Sequence, residues 1–315
     1  MVEQHEGLVR LEVDGVPCVA YPRLTGEVEE GDDVVVNDQA RALRLGSGGF
    51  DVLHANLTRG LGLAPEAGAH VMKLPYTSLQ AAVRHVEEDE PPPESLDGMP
   101  VVLCTLHSQL APVCAGLVGR QAVYAQVPGG ALPVSLSDTV RELKERGLLQ
   151  ASVAVGACVD GDVAAVSVAS ALAWAKARGA DAVVVAIGPG IVGTGSGLGH
   201  GALAVADAAN AAAALGGVPV LAVRVSDADP RERHRGVSHH VRAVLELALA
   251  PVRIAWPAGF ERPDCPAPVE EVDASGWRDA CANLPLSHMG RGPDDDPAFF
   301  EAAYAAGVAA AAIVR

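Results

Sequence analysis

Ala182-Val-Val-Val-Ala-Ile187, followed at once by Gly188-Pro-Gly-Ile-Val-Gly-Thr-Gly-Ser-Gly-Leu-Gly-His-Gly201, decides how this chain is read. Six apolar residues without alternation, rich in β-branched side chains and bounded by a breaker, read as a strand covered on both faces. The glycines that follow form a loop, and a helical pattern returns only at about 202 to 216. Buried strand, loop and helix make one βα unit of a parallel sheet.

The unit recurs on both sides. Apolar runs near 101 to 104, 121 to 127, 151 to 155, 219 to 225 and 252 to 256 join 182 to 187 as six strands. Helical patterns lie near 108 to 118, 138 to 147, 163 to 178, 202 to 216 and 239 to 249, with two more near 269 to 282 and 297 to 312. The expected fold class is α/β, a mostly parallel doubly wound sheet of about six strands over residues 100 to 315. Residues 1 to 70 differ. Short Val and Leu runs between Gly turns, notably Gly26 to Asn37 and Leu45-Gly-Ser-Gly-Gly-Phe50, predict a small β-barrel-like domain. In between, residues 71 to 99, Thr77-Ser-Leu-Gln80 has capping-box spacing and predicts a short helix to about His85, and the acidic, proline-rich run Glu87 to Glu94 predicts a linker.

With 315 residues, 50% hydrophobic and 20% charged, the chain has material for a packed core, which excludes disordered and disulfide-scaffold classes. Its 39 acidic and 23 basic residues give a net charge of -16, which repels phosphate backbones. Aromatics at 3% also argue against a base-stacking platform, so no nucleic-acid partner is expected. The start is polar and acidic where a secretory signal would be basic and then apolar. The longest apolar stretch, Gly201 to Val223, is broken by Asp207, Asn210 and Gly216-Gly-Val-Pro219, so no membrane span is expected and the chain reads as cytoplasmic. Six cysteines show no C-x-x-C pair and read as reduced, mostly buried thiols, with Cys104 alone near the expected site.

Open parallel sheets bind ligands beyond the carboxyl ends of their strands. The unusual sequences here all follow strands: Thr105-Leu-His-Ser-Gln109, Pro128-Gly-Gly130, Gly156 to Asp162, Gly188 to Gly201 and Ser226 to His240. One site is therefore expected, in which His107, the glycine loop and His239 share a pocket. Gly188-Pro-Gly-Ile-Val-Gly193 formally fits G-x-G-x-x-G, but it sits on the fourth strand and its helix opens too late for a dinucleotide fingerprint. Backbone N–H groups at Gly190, Gly193 and Gly195, with the Thr194 and Ser196 hydroxyls, are candidate anion donors; the other reading is a turn required for close packing. From Arg224 to Arg242 there are five arginines and three histidines against three acids. Arg231, Arg233 and Arg235 are candidate anion clamps, or else a solvated loop whose Ser238 caps the next helix. His234, His239 and His240, with Asp227 and Asp229, offer ligands suited to a divalent Zn, Mn or Fe ion. The same histidines, with His107, are equally suited to acid–base catalysis or to structural hydrogen bonds. Ser108 is read as a nucleophile or a helix cap, and Asp160 and Asp162 as ligands or caps.

Taken together, Leu106-His-Ser-Gln109, Gly129-Gly-Ala-Leu-Pro133, Gly188 to Gly195, Arg231 to His240 and Met289-Gly-Arg291, with Gly31-Asp32 and Asn37, resemble the uncharacterised bacterial family known as domain of unknown function 3866. The resemblance spans nearly the whole chain and implies no activity. It implies Phe-Gly-Gly-Asp in the loop held here by Gly156 to Asp162, from which this chain departs at Val159-Asp160. The function expected from the residues is an enzyme, a hydrolase or group transferase, acting on a small phosphorylated or nucleotide-like metabolite. The alternative is a non-catalytic metabolite-binding or sensory protein. The expected partner is a small anionic metabolite, and a homo-oligomer is left open.

Overall fold

Residues 2–44, 49–89, 93–261 and 267–314 are described by a computed structural model. Strands β1 (Glu3–His5), β2 (Leu8–Val13), β3 (Val16–Ala20), β4 (Val34–Asn37) and β5 (Asp51–Asn56) form a mixed sheet in the order β1-β2-β3-β5-β4. Only β3 and β5 run parallel. The expected turn at Leu45 to Phe50 lies partly outside the described residues, which omit 45–48. A two-stranded hairpin, β6 (Met72–Lys73) with β7 (Ala81–Ala82), follows. It replaces the short helix expected from Thr77. The Thr77 hydroxyl donates to the Leu74 carbonyl at 2.8 Å, and Leu74 and Tyr76 take positive φ, so the hydroxyl closes a turn instead of opening a helix. In the acidic run, Val86–Glu88 form a 3-10 turn held by Glu87, which accepts from Val166 N at 2.8 Å and from the Ser170 hydroxyl. Residues 90–92 of that run lie outside the description.

The main sheet is wholly parallel and has eight strands. They are β8 (Pro100–Cys104), β9 (Ala122–Val127), β10 (Ala151–Val155), β11 (Val163–Ala165), β12 (Ala182–Ile187), β13 (Val218–Ala222), β16 (Arg253–Pro257) and β17 (Val269–Val272), in the order β11-β10-β9-β12-β8-β13-β16-β17. A small pair, β14 (Val225–Ser226) with β15 (Gly236–Val237), lies beyond β13. All six expected strands are present, and β11 and β17 are added at the edges. The helix expected from 163 starts at Val168, where the Ser167 hydroxyl accepts from Ser170 N. Of the helix expected over 269 to 282, only Trp277–Ala280 is helical.

Pleating sends Val101 and Leu103 into one layer and Val102 and Cys104 into the other. The helices Leu110–Gly116, Asp138–Glu145 and Pro297–Ile313 cover the second layer; Val168–Ala177, Ala204–Ala214 and His239–Leu247 cover the first. Small residues set the spacing: a Cβ on Gly307 would lie 2.1 Å from the Val113 carbonyl oxygen, so the helices Leu110–Gly116 and Pro297–Ile313 touch backbone to backbone. Among the described residues, Cys18, Cys104, Cys114, Cys158 and Cys281 are free and buried; Cys265 lies outside them. No helix of the described residues is long and apolar enough to cross a membrane.

The topology places the site. The chain leaves β8 toward one face of the sheet and leaves its neighbours β12 and β13 toward the other, which opens a crevice at their carboxyl ends.

Candidate functional site

Beyond β13, Arg224 leads into β14, and β15 folds back against it, with Ser238 N donating to the Arg224 carbonyl at 2.9 Å. The helix His239–Leu247 then starts at once, its first turn capped by the Ser238 hydroxyl, which accepts from His240 N at 3.2 Å. This fold-back gathers His234, His239 and His240, whose ring centroids are 4.5 to 4.9 Å apart. A fourth imidazole arrives from the loop after β12: His200 stacks on His240 at 4.0 Å and meets His239 edge-on at 5.3 Å.

Ligand-capable nitrogens of His200, His239 and His240 all lie within 4.8 Å of one another. Both ring nitrogens of His200 and Nε2 of His239 are buried without a hydrogen-bond partner. Nδ1 of His240 accepts from Arg224 Nη1 at 3.0 Å, because a guanidinium only donates. Nδ1 of His234 lies 2.8 Å from the Ser238 hydroxyl. Burial, reinforced by the Arg224 charge, pulls His234 down to about 3 and His240 to about 2; burial also lowers His200 and His239. All four imidazoles are neutral at pH 7.

A second layer of charge surrounds them. Asp229, fully buried, accepts from Arg231 Nε and Nη2 at 2.9 and 2.8 Å and pairs with Arg224 at 3.5 Å and Arg291 at 3.4 Å. Burial alone would raise its carboxyl, but the Arg231 contacts hold it well below the usual range. Asp296 accepts from the Ser226 hydroxyl at 2.6 Å and from Arg291 Nε at 3.1 Å, while its Oδ1 is buried and unpartnered. Three arginines (224, 231 and 291) therefore face two carboxylates (229 and 296), an excess of one positive charge. Arg291 and His288 come from a tight turn, His288 N and Arg291 N each donating to the other's carbonyl, with Met289 and Gly290 both at positive φ. His288 stacks flat on Phe299 at 3.7 Å, and burial followed by Arg224 pulls it down to about 3.

Several sequence-based expectations change. His107 is turned away from the cluster: its Nδ1 donates to the Ile187 carbonyl at 3.3 Å and its Nε2 accepts from the Ser137 hydroxyl at 2.7 Å, so both ring nitrogens serve the joint between β12 and the helix Asp138–Glu145. Ser108 caps nothing, because Gln109 closes that turn by accepting from Leu106 N; its hydroxyl stands 3.4 Å from His288 Nδ1. Asp227 is exposed and outside the histidine group, and Asp229 is engaged by arginines, so neither joins the nitrogen ligands. Arg231 faces Asp229, while Arg233 and Arg235 are exposed. Asp160 accepts from Ser135, and Asp162 from Ser152 and Lys144.

The glycine loop is also corrected. Thr194 N donates to the Gly199 carbonyl at 2.6 Å, Ser196 N donates to the Thr194 hydroxyl, and the Thr194 and Ser196 hydroxyls meet at 3.0 Å, so these donors close an exposed hairpin tip. Gly190 makes a turn with φ of 68°, and Gly195 stands in open space at the tip. Gly193 makes room for His200, whose Cβ would lie 3.1 Å from a Cβ there. Gly201 lets the Gly129 carbonyl approach to 1.9 Å from its missing Cβ. The glycines position His200, and the Thr194 and Ser196 donors are taken up within the loop itself. Sequence reasoning passed over His200, His288 and Asp296. A groove of about 550 Å³ between the β6–β7 hairpin and β10–β11, lined in part by Lys73 and Asp160, contains none of the site histidines.

A family model described as a protein of unknown function (DUF3866) matches residues 17–307 of the chain. No curated protein and no solved structure matches it.

Proposed function

Because the chain belongs to the DUF3866 family, whose description carries no chemistry, we propose from the site alone that it is a hydrolase or group transferase acting on a small phosphorylated or nucleotide-like metabolite. The observation that supports this reading most is the pairing of buried, unpartnered imidazole nitrogens with an arginine excess at the strand ends. The surplus positive charge attracts an anionic group, and His239 and Arg233 lie where the cluster meets solvent. A neutral imidazole then takes the proton of the attacking hydroxyl or water as its oxygen bonds to the transferred group, the bond to the leaving oxygen breaks and that oxygen takes the proton back, and the arginines stabilise the charge that develops on the transferred group.

The test is a panel of phosphate monoesters and nucleotides, followed by phosphate release at pH 7 to 8. The wild type is expected to turn over at least one substrate class, with His239→Ala slower by about 100-fold or more, the usual size of an acid–base contribution. A His107→Gln variant keeps that turnover within a few-fold. The near-complete burial of His234, His240 and Asp229 favours a second reading, a non-catalytic metabolite sensor. It predicts binding of the same anions with no turnover of any of them.

A further inference from the structure

We propose that His200, His239 and His240 hold a divalent metal ion of the kind that all-imidazole ligand sets select, zinc above all. The inference deepens the reading of this site, in which it makes His239 a metal ligand instead of the proton acceptor, and it rests on that reading only for the anion that accompanies the ion.

Three observations converge. The ligand nitrogens already lie within 4.8 Å of one another. In a tetrahedral centre with Zn–N bonds of 2.0–2.1 Å they stand about 3.4 Å apart, so small side-chain rotations close the gap. Next, His200 is 7% exposed, yet neither of its nitrogens makes a hydrogen bond of ordinary length and angle, although the Gly197 backbone lies close enough to act on the ring, and Nε2 of His239 is likewise orphaned. A buried polar atom left without a partner is costly, and a metal ion would satisfy these nitrogens. The imidazoles do not satisfy each other, since His200 and His240 meet ring face to ring face at 28° between planes. Finally, the glycine run, with Gly193 pressed against His200, delivers this one imidazole to the first turn of the helix His239–Leu247.

The surroundings dictate how the ion binds. With three arginines against two carboxylates, a bare dication enters a region that is already positive. It therefore binds together with an anion, and each tightens the other. Arg224 now occupies the Nδ1 lone pair of His240; when His240 turns to the ion, Asp229 at 3.5 Å is the alternative partner of that guanidinium.

The test titrates Co²⁺ into chelator-treated, dialysed full-length protein and follows its visible absorption, with and without inorganic phosphate. The expected result is one equivalent of Co²⁺ with the strong bands of a low-coordinate site, displaced by Zn²⁺, and affinity raised about tenfold by phosphate. His200→Ala and His239→Ala weaken binding by at least about 100-fold, more than loss of an outer partner does, while His107→Gln binds as wild type. Should His200→Ala not fold, His239→Gln carries the same expectation. A six-coordinate aquo spectrum, or binding unaltered in both histidine variants, overturns the proposal. If Co²⁺ does not bind but phosphate does, the metal site fails and the anion reading stands. If Co²⁺ binds at these histidines without any response to phosphate, the metal site stands and the anion reading fails.

Discussion

Acidification below pH 6.5 is expected to destabilise this protein steeply, the first loss coming from its buried imidazoles. His234, His240 and His288 are each at most 4% exposed and have pKa values depressed to about 3, 2 and 3. In the unfolded chain the same groups take protons near pH 6.5. Below that pH the unfolded state therefore binds up to three more protons than the folded one, and stability falls with acidity. The slope approaches about 4 kcal/mol per pH unit once all three are protonated in the unfolded chain. Total stability of about 5–15 kcal/mol is then exhausted within roughly two to four units. Urea unfolding followed by circular dichroism at pH 7, 6, 5 and 4 measures the slope directly. The histidine contribution should level off by about pH 8, and His288→Gln, lacking one of the three protons, should reduce the acid slope by about a third. Equal stability at pH 7 and pH 5 would mean that these imidazoles are not buried neutral.

Asp229→Ala is the substitution with the largest expected cost. Its carboxylate is fully buried and is the common partner of Arg224, Arg231 and Arg291. Arg224 is itself 2% exposed and keeps only the His240 contact when Asp229 is gone. Removing one partner of a buried pair leaves a charge that neither water nor protein compensates, at a cost of about 3–5 kcal/mol. Arg231→Ala should cost about 1 kcal/mol, because its side chain is 35% exposed and Asp229 retains two arginines. Urea midpoints at pH 7 rank the two variants. If they were equally mild, Asp229 would not be the centre of the charge network.

The sheet was legible because each central strand is an unbroken apolar run between breakers; β12 is buried at all six positions. The edge strands were not. β17 reads Val-Glu-Glu-Val, whose acids face outward at an edge, and β11 has only three residues before the cap at Ser167. At the site, Ser238 as a cap and the neighbouring histidines at a helix start were visible from local order alone. His107 was misplaced because His107–Gln109 form a 3-10 turn, in which successive side chains point about 120° apart: His107 goes toward Ser137 and Ser108 toward His288. His200 was hidden at the far end of a glycine run whose signal suggested an anion cradle. Its place at the strand-end rim, just before the helix resumes, was the available clue. Asp296 and His288 come from a return segment beyond the last strand, and no local pattern ties that segment to β8 and β13.

The central claim is that the imidazole and arginine cluster is a binding site for a small anion. Isothermal titration of inorganic phosphate into the full-length protein at pH 7.5 and low salt tests it most directly. The account predicts one phosphate per chain, weakened about tenfold or more in both His239→Ala and Arg231→Ala and unaffected by His107→Gln or by Thr194→Ala in the glycine hairpin. Phosphate that fails to bind, or that binds these variants and the wild type equally, would contradict it.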